Sequence, residues 1–241
     1  MKIHRFILRF DVKSPEIIIT DYEIIHQIKD VLRLEIGDSI AITDGKGNEV
    51  RAKIEAMEKI SIKLRAIRPV ENKMDKEIET ILYCSLLKNK NFELVAQKAT
   101  EVGIKTIVPI ITKRTVKHGF NYFRLQKIIK EATEQCGRAT IPLLCHPMDF
   151  GEAINDAKGN SLNIFFHMGG EKFDPAELKE KSLKRIGIFI GPEGGWLDTE
   201  LDLAKEKNCK IRSLGNSTLR AETAAIVASY IIYTSLNPHT D

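Results

Sequence analysis

The spacing of apolar positions changes near residue 70 of this 241-residue chain. Before it, short alternating runs dominate. Ile60-Ser61-Ile62-Lys63-Leu64-Arg65-Ala66 has the period of two expected of a strand with one buried face. Ile40-Ala41-Ile42 and the Val50, Ala52, Ile54 series flank Asp44-Gly45-Lys46-Gly47-Asn48, which predicts a hairpin turn. One helix interrupts these runs: Thr20 and Glu23 have the spacing of a capping box ahead of Ile24, Ile25, Ile28, Val31 and Leu32. Several short strands and one helix predict a small β-barrel, and the polar stretch from Pro69 to Lys76 reads as a linker.

Beyond about residue 78 the pattern becomes strand and helix in alternation. Apolar strands are expected at 78–87, 106–111, 143–145, 162–167, 186–190 and 210–214. Helices are expected at 90–102, 121–137, 150–157, 175–184, 198–207 and 221–235. In the first helix Phe92, Val95, Ala99 and Val102 share a face, and Gly103 is a natural stop. Such alternation predicts an α/β domain with a parallel sheet covered on both sides. The expected division is therefore residues 1–72 and 73–241.

Composition narrows the class further. With 43% hydrophobic and 29% charged residues the chain resembles an ordinary globular protein. No apolar run approaches a membrane span and the first residues are no signal peptide. Cys84, Cys136, Cys145 and Cys209 are scattered without a C-x-x-C pair, so no metal site is expected and a reducing cytoplasm fits. The net charge of +4 is uneven. Between Lys105 and Arg138, eight Lys or Arg face two acids, Glu131 and Glu134. That excess is the footprint of a polyanion partner, or else a solvated helix face.

The candidate chemistry lies in the last third. Ile190-Gly191-Pro192-Glu193-Gly194-Gly195 follows the apolar run Ile186–Ile190, and ligands of open α/β sheets bind beyond the carboxyl ends of strands. The loop is neither G-x-G-x-x-G nor a P-loop, which argues against a dinucleotide or nucleoside triphosphate. Trp196, the single tryptophan, reads as a packing residue. Leu219-Arg220-Ala221-Glu222-Thr223-Ala224 opens an apolar helix, leaving Arg220 and Glu222 to pair with each other or to hold a charged substrate.

With these motifs in order, the chain resembles the 16S ribosomal RNA (uracil N3) methyltransferase family of the knotted SPOUT class. The resemblance is carried by Arg5-Phe6, His26 with Val31-Leu32-Arg33, Gly37-Asp38, Asp44-Gly45-x-Gly47, Gln97 to Gly103, Glu134-Gln135-Cys136-Gly137-Arg138 and the two late motifs. It implies an N-terminal PUA-like barrel, a C-terminal parallel α/β domain with a deep trefoil knot, and a homodimer. It also implies S-adenosylmethionine as cofactor and 16S rRNA, in the decoding region of the small ribosomal subunit, as partner. The implied cofactor residues are Phe166, His167 and Met168; Ile190, Gly191, Pro192, Glu193, Gly194 and Gly195; and Leu214, Gly215, Asn216, Ser217, Leu219, Arg220, Thr223 and Ala224.

Uracil N3 becomes nucleophilic only as its proton leaves, so a guanidinium near O2 or O4 would stabilise the developing charge. Arg220, with Glu222 beside it, is assigned that catalytic place, and Arg114 and Arg138 are the alternatives. The base is left open: His167 stands at a strand end as base or packing residue, and Glu193 is expected to pair with an arginine or cap a turn. Phosphate contacts are assigned to Arg5 and Arg33 of the barrel and to Lys113, Arg114, Lys117 and Arg138 of the basic segment, with His118 in the same loop. Methylation of a transfer-RNA ribose, or RNA binding without catalysis, are the competing readings.

Overall fold

The computed structural model describes residues 3–70, 78–88, 90–116, 119–179 and 182–237. The proposed linker residues 71–76, Lys117 and His118 lie outside the described residues. Contacts divide the chain into two units: residues 1–75 with 133–141, and residues 76–132 with 142–241.

In the first unit, β1 (Arg5–Ile7), β2 (Glu16–Ile19), β3 (Ser39–Thr43), β4 (Glu49–Met57) and β5 (Ile62–Pro69) form one sheet in the order β1-β3-β4-β5-β2. Only β1 and β3 pair in parallel. The alternation noted above sends Ile40, Ile42, Val50, Ala52, Ile54, Ile62 and Leu64 into one core. Two register shifts between β4 and β5 bend the sheet into a small curl. The hairpin is held by Asp44, whose Oδ1 accepts from the backbone N–H groups of Lys46 and Asn48.

Helix α1 (Tyr22–His26) is capped one residue later than expected, because the Asp21 carboxylate, not Thr20, accepts from Ile24 N at 3.2 Å. The chain then makes a π-helical turn over Gln27–Val31.

Residues 133–141 belong to this first unit, although the sequence pattern reads them as the end of a helix in the second domain. The Glu134 carboxylate accepts from Ile7 N at 2.9 Å, and the Ala139 carbonyl accepts from Thr43 Oγ1 at 2.9 Å. Ile141 N donates to the Gly45 carbonyl at 2.9 Å. Glu134, Ala139 and Ile141 thus stitch the segment to the sheet.

The second unit holds β6 (Glu79–Ser85), α2 (Asn91–Val102), β7 (Thr106–Ile111), α3 (Tyr122–Cys136, its last turn in the first unit), β8 (Leu143–Leu144) and β9 (Met148–Asp149). It continues with α4 (Phe150–Asp156), β10 (Leu162–Lys172), β11 (Arg185–Ile190), α5 (Asp198–Glu206), β12 (Lys210–Ser213) and α6 (Ala221–Leu236). The sheet runs β12-β10-β11-β6-β7-β8, with β9 also on β7, and every pairing is parallel. The helix expected at 175–184 is instead a 3-10 turn, Pro175–Leu178, capped by Asp174. No helix among the described residues is long and apolar enough to cross a membrane.

Register explains how the sheet builds its site. Tyr83, Phe189 and Phe165 are cross-strand partners on β6, β11 and β10, and their rings stack with centroids 4.3 and 4.1 Å apart. Such pairs are worth about 0.5–1.5 kcal/mol beyond the area they bury. One residue further, Phe166 and Ile190 point to the opposite face, as a period of two demands. The strand ends that follow are therefore held rigidly.

Candidate active site

A cavity of about 160 Å³ lies at the carboxyl ends of three adjacent strands, β10, β11 and β12. Its first wall comes from an extrusion in β10. Phe166 and Glu171 both pair with Arg212, so the four residues His167 to Gly170 bulge out between them. His167 and Met168 line the pocket on this bulge, with Phe166 below.

The second wall is the loop after β11: Ile190, Gly191, Pro192, Glu193 and Gly195. Trp196 closes it, 4% exposed, with its indole N–H donating to the Phe166 carbonyl at 3.1 Å. A Cβ at residue 191 would lie 3.0 Å from the indole, so any larger residue there would press on Trp196. Gly195 has φ of 70°, a left-handed turn that favours glycine. Among the described residues Glu193 neither pairs with an arginine nor caps a helix; its carboxylate accepts from Lys88 N at 2.8 Å.

The third wall is Leu214, Ser217, Thr218 and Leu219, then Ala221 and Ala224 of α6. Trp196, Thr218 and Ala221 were not among the expected cofactor residues, although Ala221 and Ala224 are one helical turn apart on a single face. Five expected cofactor residues, Gly194, Gly215, Asn216, Arg220 and Thr223, fall off the lining. Gly194 turns its carbonyl to Arg114 at 2.6 Å, and Gly215, Asn216 and Thr223 do not border the pocket.

Arg220 sits at the N-cap of α6, exposed, between two lining residues, and its side chain makes no hydrogen bond or ion pair among the described residues. Glu222 is 8% exposed and does not line the pocket, and of the two alternatives its pairing with Arg220 is not made among the described residues. His167 is half-buried in the pocket wall without a hydrogen-bond partner among the described residues.

The expected phosphate contacts divide as well. Arg138 is 1% exposed and cannot reach an RNA backbone. Arg5 holds the buried Glu49 carboxylate through two bonds, at 2.9 and 3.0 Å, so its charge is already matched. Arg114 donates to the Gly194 and Trp196 carbonyls, bracing the loop after β11. Buried Glu200, a residue the sequence reading passed over, supports that brace: it accepts from Lys113 N at 3.1 Å and from Leu197 N at 2.8 Å. Its place three residues after Leu197, at the start of α5, is the signal that would have found it. Arg33 and the Lys113 side chain remain exposed.

Comparison with known proteins fits this geometry. Residues 74–233 match the RNA methyltransferase domain family and residues 19–67 match the RNA methyltransferase PUA domain family. The class is thus an RNA methyltransferase with a PUA domain ahead of its transferase domain. Ribosomal RNA small subunit methyltransferase E of Rickettsia conorii is 33% identical over 214 residues, covering 85% of this chain and 84% of that protein. The protein of the same name from Synechocystis is 32% identical, covering 85% and 68%. A crystal structure of the enzyme E from Neisseria gonorrhoeae bound to S-adenosyl methionine has a TM-score of 0.82 at 27% identity, covering 95% of each chain. The chain belongs to the ribosomal RNA small subunit methyltransferase E family.

Proposed function

We propose that this protein transfers a methyl group from S-adenosylmethionine to N3 of a uridine in 16S rRNA, in the decoding region of the small subunit. The observation that carries this reading is the pocket: three loops, rich in main chain, at neighbouring strand ends, with an unengaged arginine at its edge. Bound there, S-adenosylmethionine supplies an electrophilic methyl on a sulfonium centre. Phe166, Ile190, Leu214 and Leu219 offer apolar walls for an adenine ring, and the turns at Gly191 and Ser217 offer polar groups for the ribose and amino-acid parts. The Arg114 and Glu200 braces keep those turns fixed, so that acceptor and methyl align without reorganisation.

Arg220 is the residue assigned to O2 or O4 of the uracil, where negative charge grows as the N3 proton departs. A guanidinium stays charged and does not take that proton. His167 is the unengaged titratable group on the pocket wall and is assigned as its acceptor. Glu222, buried away from the lining, is assigned to positioning the first turn of α6 rather than to chemistry.

A homodimer belongs to the same reading. Helix α6 is apolar around its circumference, yet Tyr230 is 58% exposed and Ile226, Val227 and Ile231 are only partly covered. An all-apolar helix of this kind is normally buried. The trefoil knot implied by the family falls at the pocket loops, and the four free cysteines agree with a reducing cytoplasm. Arg33 and Lys113 are the phosphate contacts retained.

The deciding experiment is nucleoside mass spectrometry of small-subunit rRNA from a strain lacking this protein. Loss of 3-methyluridine, restored by the wild-type protein but not by Arg220→Ala, is the expected result. Loss of a ribose-methylated nucleoside instead would refute the base assignment.

A further inference from the structure

Among the described residues no large apolar side chain is more exposed than Phe123, at 83%. Its ring is nevertheless supported. It meets Tyr122 edge-on, with centroids 6.2 Å apart and planes at 83°. Tyr122 is itself stacked on His146 at 4.4 Å and donates its hydroxyl to the Leu144 carbonyl at 3.0 Å. A ring propped from behind and bare in front is a platform rather than a frayed core residue.

Charge around the ring decides what fits it. Lys127 and Lys130 follow at four and seven residues along α3 and so share its face. Neither lysine pairs with a carboxylate among the described residues. Arg124, next in sequence, is already matched by Glu93 through two bonds. An aromatic face flanked by free ammonium groups is the arrangement that binds single-stranded nucleic acid, the base stacking and the phosphates pairing. Protein interfaces, by contrast, are depleted in lysine at their cores.

We propose that Phe123 is a stacking platform for an unpaired base of the RNA substrate, with Lys127 and Lys130 holding the neighbouring phosphates. This rests on the RNA methyltransferase reading above and adds to it a base-binding site outside the cofactor pocket. The test uses the full chain and a fluorescein-labelled oligouridylate of about 12 nucleotides. Phe123→Leu, which keeps bulk but loses the aromatic face, is expected to weaken binding about tenfold, and Phe123→Trp to restore it. The introduced indole is expected to be quenched on RNA binding, while S-adenosylmethionine binding stays unchanged in both variants.

Equal RNA affinity in wild type and Phe123→Leu would overturn the proposal. So would dissociation of an oligomer by Phe123→Leu with RNA affinity intact, which would mark the face as a contact between copies. Methyl transfer is read separately. A wild-type protein that binds RNA through Phe123 yet forms no 3-methyluridine would refute the enzymatic reading and leave this site standing; methylation with indifferent Phe123 variants would do the reverse.

Discussion

Four arginines look alike in the sequence and behave differently in the fold. Arg138 is buried, Arg5 is matched by Glu49, Arg114 braces a loop, and Arg220 stands free beside the pocket. A count of charges sees all four as available cations. Their partners lie far along the chain, Glu49 from Arg5 and Gly194 from Arg114, and no local spacing reports such contacts. The place of Arg220 beside the pocket was legible because it sits within a motif at a strand-to-helix junction. If Arg220 acts on the transition state, Arg220→Ala lowers turnover by more than about tenfold while S-adenosylmethionine affinity stays within a few fold. Single-turnover kinetics alongside calorimetry separates the two effects, and equal losses would make it a binding residue.

Elements show the same division between what is local and what is not. The strands and most helices follow from apolar spacing, and the parallel sheet follows from their alternation. The 3-10 turn at Pro175–Leu178 does not, because the segment has few apolar residues and its structure depends on a distant partner. Glu177 there bonds to Arg212 at 2.8 and 3.0 Å and pairs with Lys210 at 3.0 Å, tying the turn to β12. The Arg212 guanidinium is the main cause of a Glu177 pKa lowered to about 2. A carboxylate whose folded pKa is depressed stabilises the fold above its ordinary pKa of 4.5. That contribution is lost as pH falls from about 4.5 toward 2. Denaturant titrations from pH 6 down to 3 should show a falling stability that Glu177→Gln flattens. An unchanged slope in that variant would remove Glu177 as the source. The extrusion of His167 to Gly170 was equally hidden, since nothing in its spacing distinguishes a bulge from a strand end.

For the molecule as a whole, the two-part organisation was readable, but the return of residues 133–141 to the first unit was not. A break in pattern marks where a domain ends once; it does not reveal a segment lent back from later in the chain. The exposed apolar side of α6 predicts a dimer that Tyr230→Glu converts to monomer in sedimentation experiments, and a variant that sediments unchanged would place the interface elsewhere. RNA affinity should fall roughly 100-fold over a fourfold rise in salt if about five phosphates are neutralised. A flat salt profile would deny that electrostatic contribution. The lone tryptophan also has a practical outcome. Because Trp196 lines the pocket and donates to the Phe166 carbonyl, its emission is a built-in optical gauge of pocket filling. Adding S-adenosylmethionine should change that glow saturably, giving a titration without any label, and the signal should vanish in Trp196→Phe.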